Sequence, residues 1–136
     1  MTPQEFAGYF DHTLLRQDMT LEDLEMMLEA AASYGFAAIC IPPRYVERAR
    51  KANKNVQVAT VIDFPLGYSA IAGKLCQTHA ALEAGADEID LVAAVPHLKN
   101  GDAGAYGAEI RAVKELMGSK LLKVIIETSL LSPPEI

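Results

Sequence analysis

Apolar positions along this chain follow two alternating spacings. Short, mostly apolar runs cover residues 11–15, 36–41, 56–62, 88–94 and 120–127, each of strand length and too compact for a helix. Between them apolar residues recur every three or four positions, as in Leu21, Leu24, Met27, Leu28 and Ala31. That spacing builds one buried helix face. Punctuation agrees with it. Thr20 followed by Asp23 forms a cap signature, and Gly35 closes the same helix in a position suited to left-handed backbone. Thr2-Pro3 opens a first short helix, Pro42-Pro43 stops the second strand, and Arg44 to Asn53 forms a basic helix. Ser69 is placed to cap the helix that runs to Ala84. Asn100-Gly101 turns the chain, and Asp102 and Gly118 bracket a helix ending at Met117.

Strands that alternate with helices predict right-handed βαβ units and a parallel sheet. An internal echo supports this: Ala31 to Cys40 aligns with Ala81 to Asp90, matching helix end, glycine and strand isoleucine. The expected architecture is α/β, an incomplete (β/α)8 TIM barrel of about five parallel strands, with residues 1–136 forming a single partial-barrel domain. Ser132-Pro133-Pro134-Glu135-Ile136 reads as the opening of another helix, so the chain is expected to be truncated before a sixth strand. Five strands leave two open edges. Exposure of Val61, Leu91 or Ile125 at such an edge would favour a homo-oligomer that covers it.

Composition narrows the function classes. A formal charge of −6 offers no electrostatic footprint for nucleic acid or an anionic membrane surface. Cys40 and Cys76 lack the close-spaced companions of a zinc site or a disulfide framework, which fits a reducing, cytoplasmic compartment. No signal peptide or membrane-spanning run is visible.

Two charges interrupt the apolar strands. Asp90 lies inside Ile89-Asp90-Leu91-Val92, and Lys123 inside Leu121-Leu122-Lys123-Val124-Ile125. A carboxylate in such a setting needs a partner, and Lys123 is the best placed. Plainer roles stand beside these: Asp90 could be satisfied by backbone amides, Lys123 could simply neutralise Asp90 or Glu127, Asp11 could cap a turn, and Cys40 fits a small buried hydrophobe. Strand alternation points His12 away from Asp11 and Thr13. Neither His79 nor His97 builds a triad with Cys40.

The ordered motifs Asp11-His12-Thr13-Leu14-Leu15, Gly35 to Ile41, Val58 to Gly67, Gly85 to Asp90 and Leu121 to Thr128 resemble those of the deoxyribose-phosphate aldolase family. The resemblance implies a (β/α)8 barrel and a class I aldolase. Such an enzyme cleaves 2-deoxy-D-ribose 5-phosphate to glyceraldehyde 3-phosphate and acetaldehyde through a lysine Schiff base, with no metal or organic cofactor. By the same resemblance Asp90 matches a proton-relay aspartate, Lys123 an accessory active-site lysine and Cys40 a pocket cysteine. Asp11, Thr13 and Leu15 match substrate-side residues of the first strand.

Departures qualify the expected activity. The family's Schiff-base lysine and main phosphate loops come from later strands than the five read here, so these residues alone are expected to be inactive. Asp63 stands where the family usually has glycine, and Ala93 to His97 where it often has asparagine and glycine. Two other readings remain: an inactive, self-associating half-barrel with a structural or interaction role, and a doubly wound nucleotide-binding domain. The latter lacks any G-x-G-x-x-G or Walker pattern.

Overall fold

The computed structural model describes residues 1–136. In chain order the elements are α1 (Pro3–Ala7), β1 (Asp11–Thr13), α2 (Leu21–Tyr34), β2 (Ala38–Ile41), α3 (Val46–Ala52), β3 (Val58–Ile62), α4 (Ile71–Glu83), β4 (Glu88–Val92), α5 (Val95–Lys99), α6 (Ala103–Met117) and β5 (Leu121–Ile125). One five-stranded sheet runs in the order β1-β2-β3-β4-β5, every pairing parallel. A monotonic order keeps each right-handed crossover on the same face, whereas a doubly wound domain reverses direction at a switch point. The nucleotide-binding reading therefore falls with the strand order.

The two faces of the sheet differ in kind. Ile39, Ile41, Val58, Ile62, Ile89 and Leu91 face the helices and join the main core with Leu24, Met27 and Leu28 of α2, Val46 and Ala49 of α3, and Val113 and Met117 of α6. The opposite face carries a second, smaller cluster of Ala38, Cys40, Ala59 and Val61, against which Leu15 packs. Small side chains there allow the sheet to curl. A flat sheet of this width would hold β1 and β5 about 19 Å apart. Yet the Lys123 ammonium of β5 contacts the Asp11 carboxylate of β1, so the sheet is a trough with its polar groups on the concave side.

Local chemistry explains the boundaries. Thr20 and Asp23 form a reciprocal capping box at the start of α2, and Gly35 ends that helix at φ 70°. Asp102 accepts from the Ala105 amide at the start of α6. The predicted cap at Ser69 is not made: Ala70 precedes α4 without a side-chain cap, and Ser69 bonds Asp63 instead. The expected basic helix from Arg44 begins as a 3-10 turn over Pro43–Tyr45, then becomes α3. Residues 95–99 form α5, with Pro96 in its first turn. The segment after Ser132 is a 3-10 turn with a capping box to Glu135.

The expected exposure of Val61 and Leu91 is corrected. Both lie on interior strands and are buried, at 6% and 0% exposure. The true edges are β1 and β5, where Leu121 is 52% exposed and Ile125 half-buried.

Candidate active site

Strand register assembles the concave face. Asp11 pairs with Ala38, Thr13 with Cys40, Cys40 with Ala59, Val61 with Asp90 and Asp90 with Lys123. Side chains at these positions share one face because strand alternation has a period of two. His12 falls on the other face, where its ring stacks on Phe36 with centroids 4.9 Å apart.

Lys123 is the hub. Its Nζ contacts Asp11 Oδ2, lies 3.0 Å from Glu88 Oε2 and 3.1 Å from Asp90 Oδ1. Asp90 Oδ1 makes no directed hydrogen bond, so that contact is an ion pair without hydrogen-bond alignment. The other carboxylate oxygen, Oδ2, accepts from the Cys40 thiol at 3.6 Å. Burial disfavours the Lys123 ammonium, but its close contacts with the Asp11, Glu88 and Asp90 carboxylates more than compensate and raise its pKa. A lysine primed as a nucleophile needs the opposite shift. Burial, followed by the charge of Asp90, pushes the Cys40 thiol up to about 12.

All six residues singled out from sequence lie on or beside this face. Asp11, Cys40, Asp90 and Lys123 are joined by contacts. Thr13 stands opposite Cys40 and bonds the Asp11 carbonyl at 3.0 Å, while Leu15 packs on the small inner cluster. Glu88 was missed. Its position two residues before Asp90 was the available signal, since i and i+2 share a strand face.

Beyond the strand ends the trough opens into a cavity of about 310 Å³ lined by Leu15, Pro42, Arg44, Tyr45, Val61 and Phe64. Val61 and Leu15 make it continuous with the inner face. Catalytic groups of barrel enzymes collect at this end of the strands. A depression of about 410 Å³ between α2 and α3 is larger, but surface residues such as Glu25, Glu47 and Arg48 line it on the outer side.

A second buried charge cluster lies behind β3 and β4. Lys74 of α4 is fully buried, with Nζ 3.0 Å from Glu109 Oε2, 3.7 Å from Asp63 Oδ2 and 3.4 Å from the Val92 carbonyl. His97 Nε2 lies 3.0 Å from Glu109 Oε1. Burial raises the Glu109 pKa, but hydrogen bonds from Lys74 and His97 outweigh it, leaving the carboxyl below its usual value. The sequence did carry a signal. Lys74 shares the spacing of buried Thr78 and Ala81, which puts it on the inward face of α4.

Comparison with known proteins gives the same lineage. The family model described as DeoC/LacD family aldolase matches residues 6–136. The chain is 46% identical over 129 residues to the deoxyribose-phosphate aldolase of Streptococcus pneumoniae serotype 19F, an alignment covering 93% of this chain and 59% of that protein. It is 45% identical over 134 residues to that of Metamycoplasma hominis, covering 97% and 62% respectively. A Coccidioides immitis structure provisionally assigned as a deoxyribose-phosphate aldolase superposes with a TM-score of 0.94 at 32% identity, covering 99% of this chain and 54% of that one. The tetrameric deoxyribose phosphate aldolase from Aeropyrum pernix gives 0.83 at 28% identity, covering 96% and 56%. The chain thus spans roughly three-fifths of the length of these curated relatives. With a family match over nearly its whole length and the same half-barrel in solved aldolases, the chain belongs to the DeoC/LacD aldolase family.

Proposed function

We propose that residues 1–136 form one partial-barrel domain that supplies the first-half wall of a deoxyribose-phosphate aldolase site. The complete enzyme would reversibly cleave 2-deoxy-D-ribose 5-phosphate to glyceraldehyde 3-phosphate and acetaldehyde through a lysine Schiff base. The observation that carries this reading is the clasp of three carboxylates around Lys123 on the concave face. An ammonium so held is a poor nucleophile and a good electrostatic partner for a proton-relay carboxylate. Asp90 would take the proton of the substrate hydroxyl as the carbon–carbon bond breaks, and would return one to the enamine. Lys123 would keep Asp90 ionised and placed. Asp11, Thr13, Leu15 and Cys40 would line the substrate's path.

The nucleophilic amine is assigned outside these strands. The other lysines lie on helices or their connections, and Lys123 alone stands on the concave face. On this reading the 136-residue chain does not turn over by itself. The phosphorylated sugar and the unpaired cysteines fit a cytoplasmic enzyme. No helix is long and apolar enough to cross a membrane.

Borohydride reduction in the presence of 2-deoxyribose 5-phosphate, followed by intact-mass and peptide mapping, tests the assignment. No adduct is expected on the peptide carrying Lys123, and an adduct there would overturn its role as a held cation. In the complete enzyme Asp90→Asn should lower kcat by roughly a hundredfold or more, the usual scale of a lost acid–base group. Undiminished turnover would sink the relay.

A second reading is favoured by one feature, the half-exposed edge strand β5. Pairing of that edge with another copy would give a self-associated half-barrel with a structural role.

A further inference from the structure

We propose that Lys74 is a positioning residue: its buried ammonium holds the connection from Asp63 to Ser69 as a fixed wall of the cleft. The inference rests on the aldolase reading only in taking that cleft as the substrate's.

The connection between β3 and α4 carries Phe64 and Pro65, both of which line the cavity at the strand ends. Most of its residues are exposed, the usual condition of a mobile loop. Two restraints oppose that freedom, starting from an unusual backbone position. Asp63 adopts left-handed backbone at φ 56°, a conformation unfavourable for a residue with a Cβ. Its carboxylate accepts from the Ser69 amide at 2.9 Å and from the Ser69 hydroxyl, tying the two ends of the loop together. Gly67, also at positive φ, lies so close to β4 that a Cβ there would meet the Ala93 carbonyl oxygen at 2.5 Å.

Lys74 joins these restraints to the helix layer. From one fully buried nitrogen it reaches Asp63 on the loop, the Val92 carbonyl at the end of β4, and Glu109 on α6. A fully buried lysine is costly unless its charge is met, and an apolar side chain of similar length would fill the same space without that cost. Its specific gain is geometric. The ammonium attracts the carboxylate that closes the loop, at the point where the backbone is least favourable. Glu109 is held in turn by His97 of α5, so the loop is braced against β4, α5 and α6. Phe64 and Pro65 therefore meet substrate from a preset position, which lowers the ordering cost of binding.

The test compares amide hydrogen exchange at Gly67 and Ser69 with exchange at Thr60 and Ile89 in the sheet. Lys74→Met combined with Glu109→Gln removes the buried Lys74–Glu109 pair and leaves the Asp63 carboxylate with Ser69 as its remaining side-chain and amide partner. Loss of a charged hydrogen-bond network should speed exchange of the loop amides about tenfold or more while the sheet amides change less than about twofold. Unchanged loop exchange, or equal acceleration of loop and sheet, would overturn the proposal. Should the double variant fail to fold, Lys74→Gln alone removes the cation while leaving the Asp63–Ser69 bonds in place, and the same two outcomes apply. Exchange is read on the chain without turnover. Failure of the aldolase reading would appear in the borohydride experiment and leave this result standing.

Discussion

Single residues in this chain acquire their chemistry from neighbours on other strands. Cys40 and Cys76 show the contrast. Cys40 is buried against Asp90 with its thiol pushed up to about 12, so it is protonated at neutral pH, whereas Cys76 is exposed on α4. Alkylation follows thiolate character and access. Iodoacetamide at pH 7.5 should add one label to the folded chain, and peptide mapping should find it on Cys76. Rapid labelling of Cys40 would mean that the concave face is more open or less acidic than described. Lys123 illustrates the same dependence with opposite sign. Burial alone would weaken the ammonium, yet three carboxylates from β1 and β4 reverse the outcome. The raised pKa makes its stabilising contribution present at neutral pH. That contribution is lost only as pH climbs past the ordinary lysine value of about 10.4 and on through the folded value.

At the scale of elements, α4 and α6 are joined by polar as well as apolar packing. Glu109 titrates below its usual value because Lys74 and His97 outweigh its burial. A depressed carboxyl stabilises the fold above its unfolded pKa, about 4.3, and the benefit fades as pH falls through the folded value. Thermal midpoints measured from pH 6 down to pH 3 should therefore fall more steeply for the parent chain than for Glu109→Gln. Parallel slopes would remove Glu109 as a contributor to acid sensitivity. The same elements show what a sequence can convey. Helix α2 was legible because Thr20, the apolar stripe and Gly35 all state the same boundaries. Helix α5 was not, since five residues with a proline carry too little periodicity to register. Ser69 met the rule for a cap, but a carboxylate six residues earlier claimed it, a tertiary event invisible to local pattern. Asp90 and Lys123 were legible as strand interruptions, while Lys74, equally charged and more deeply buried, stood on a helix, where a lysine is ordinary and only its spacing to Thr78 and Ala81 marked it as inward. Its partner Glu109 lies 35 residues away, beyond the reach of spacing arguments.

The whole molecule is an open trough with two edge strands. Leu121 at 52% exposure and half-buried Ile125 give β5 an apolar, hydrogen-bonding margin that strands elsewhere in the sheet do not present. Sedimentation velocity on the purified chain should show a concentration-dependent dimer or larger species, and Leu121→Lys should shift it toward monomer. A monomer at all concentrations would mean that β5 is protected in another way. The trough also has a sign. Three carboxylates face one ammonium at its floor, so the formal charge of the cluster is −2. A doubly anionic phosphate entering a low-dielectric groove of that polarity is repelled from the floor and turned outward. On the proposed aldolase reading, the floor would sort the two ends of a phosphorylated sugar before any bond changes. It would favour the neutral carbonyl end over the charged one, so the direction of substrate entry would be set by the polarity of these five strands.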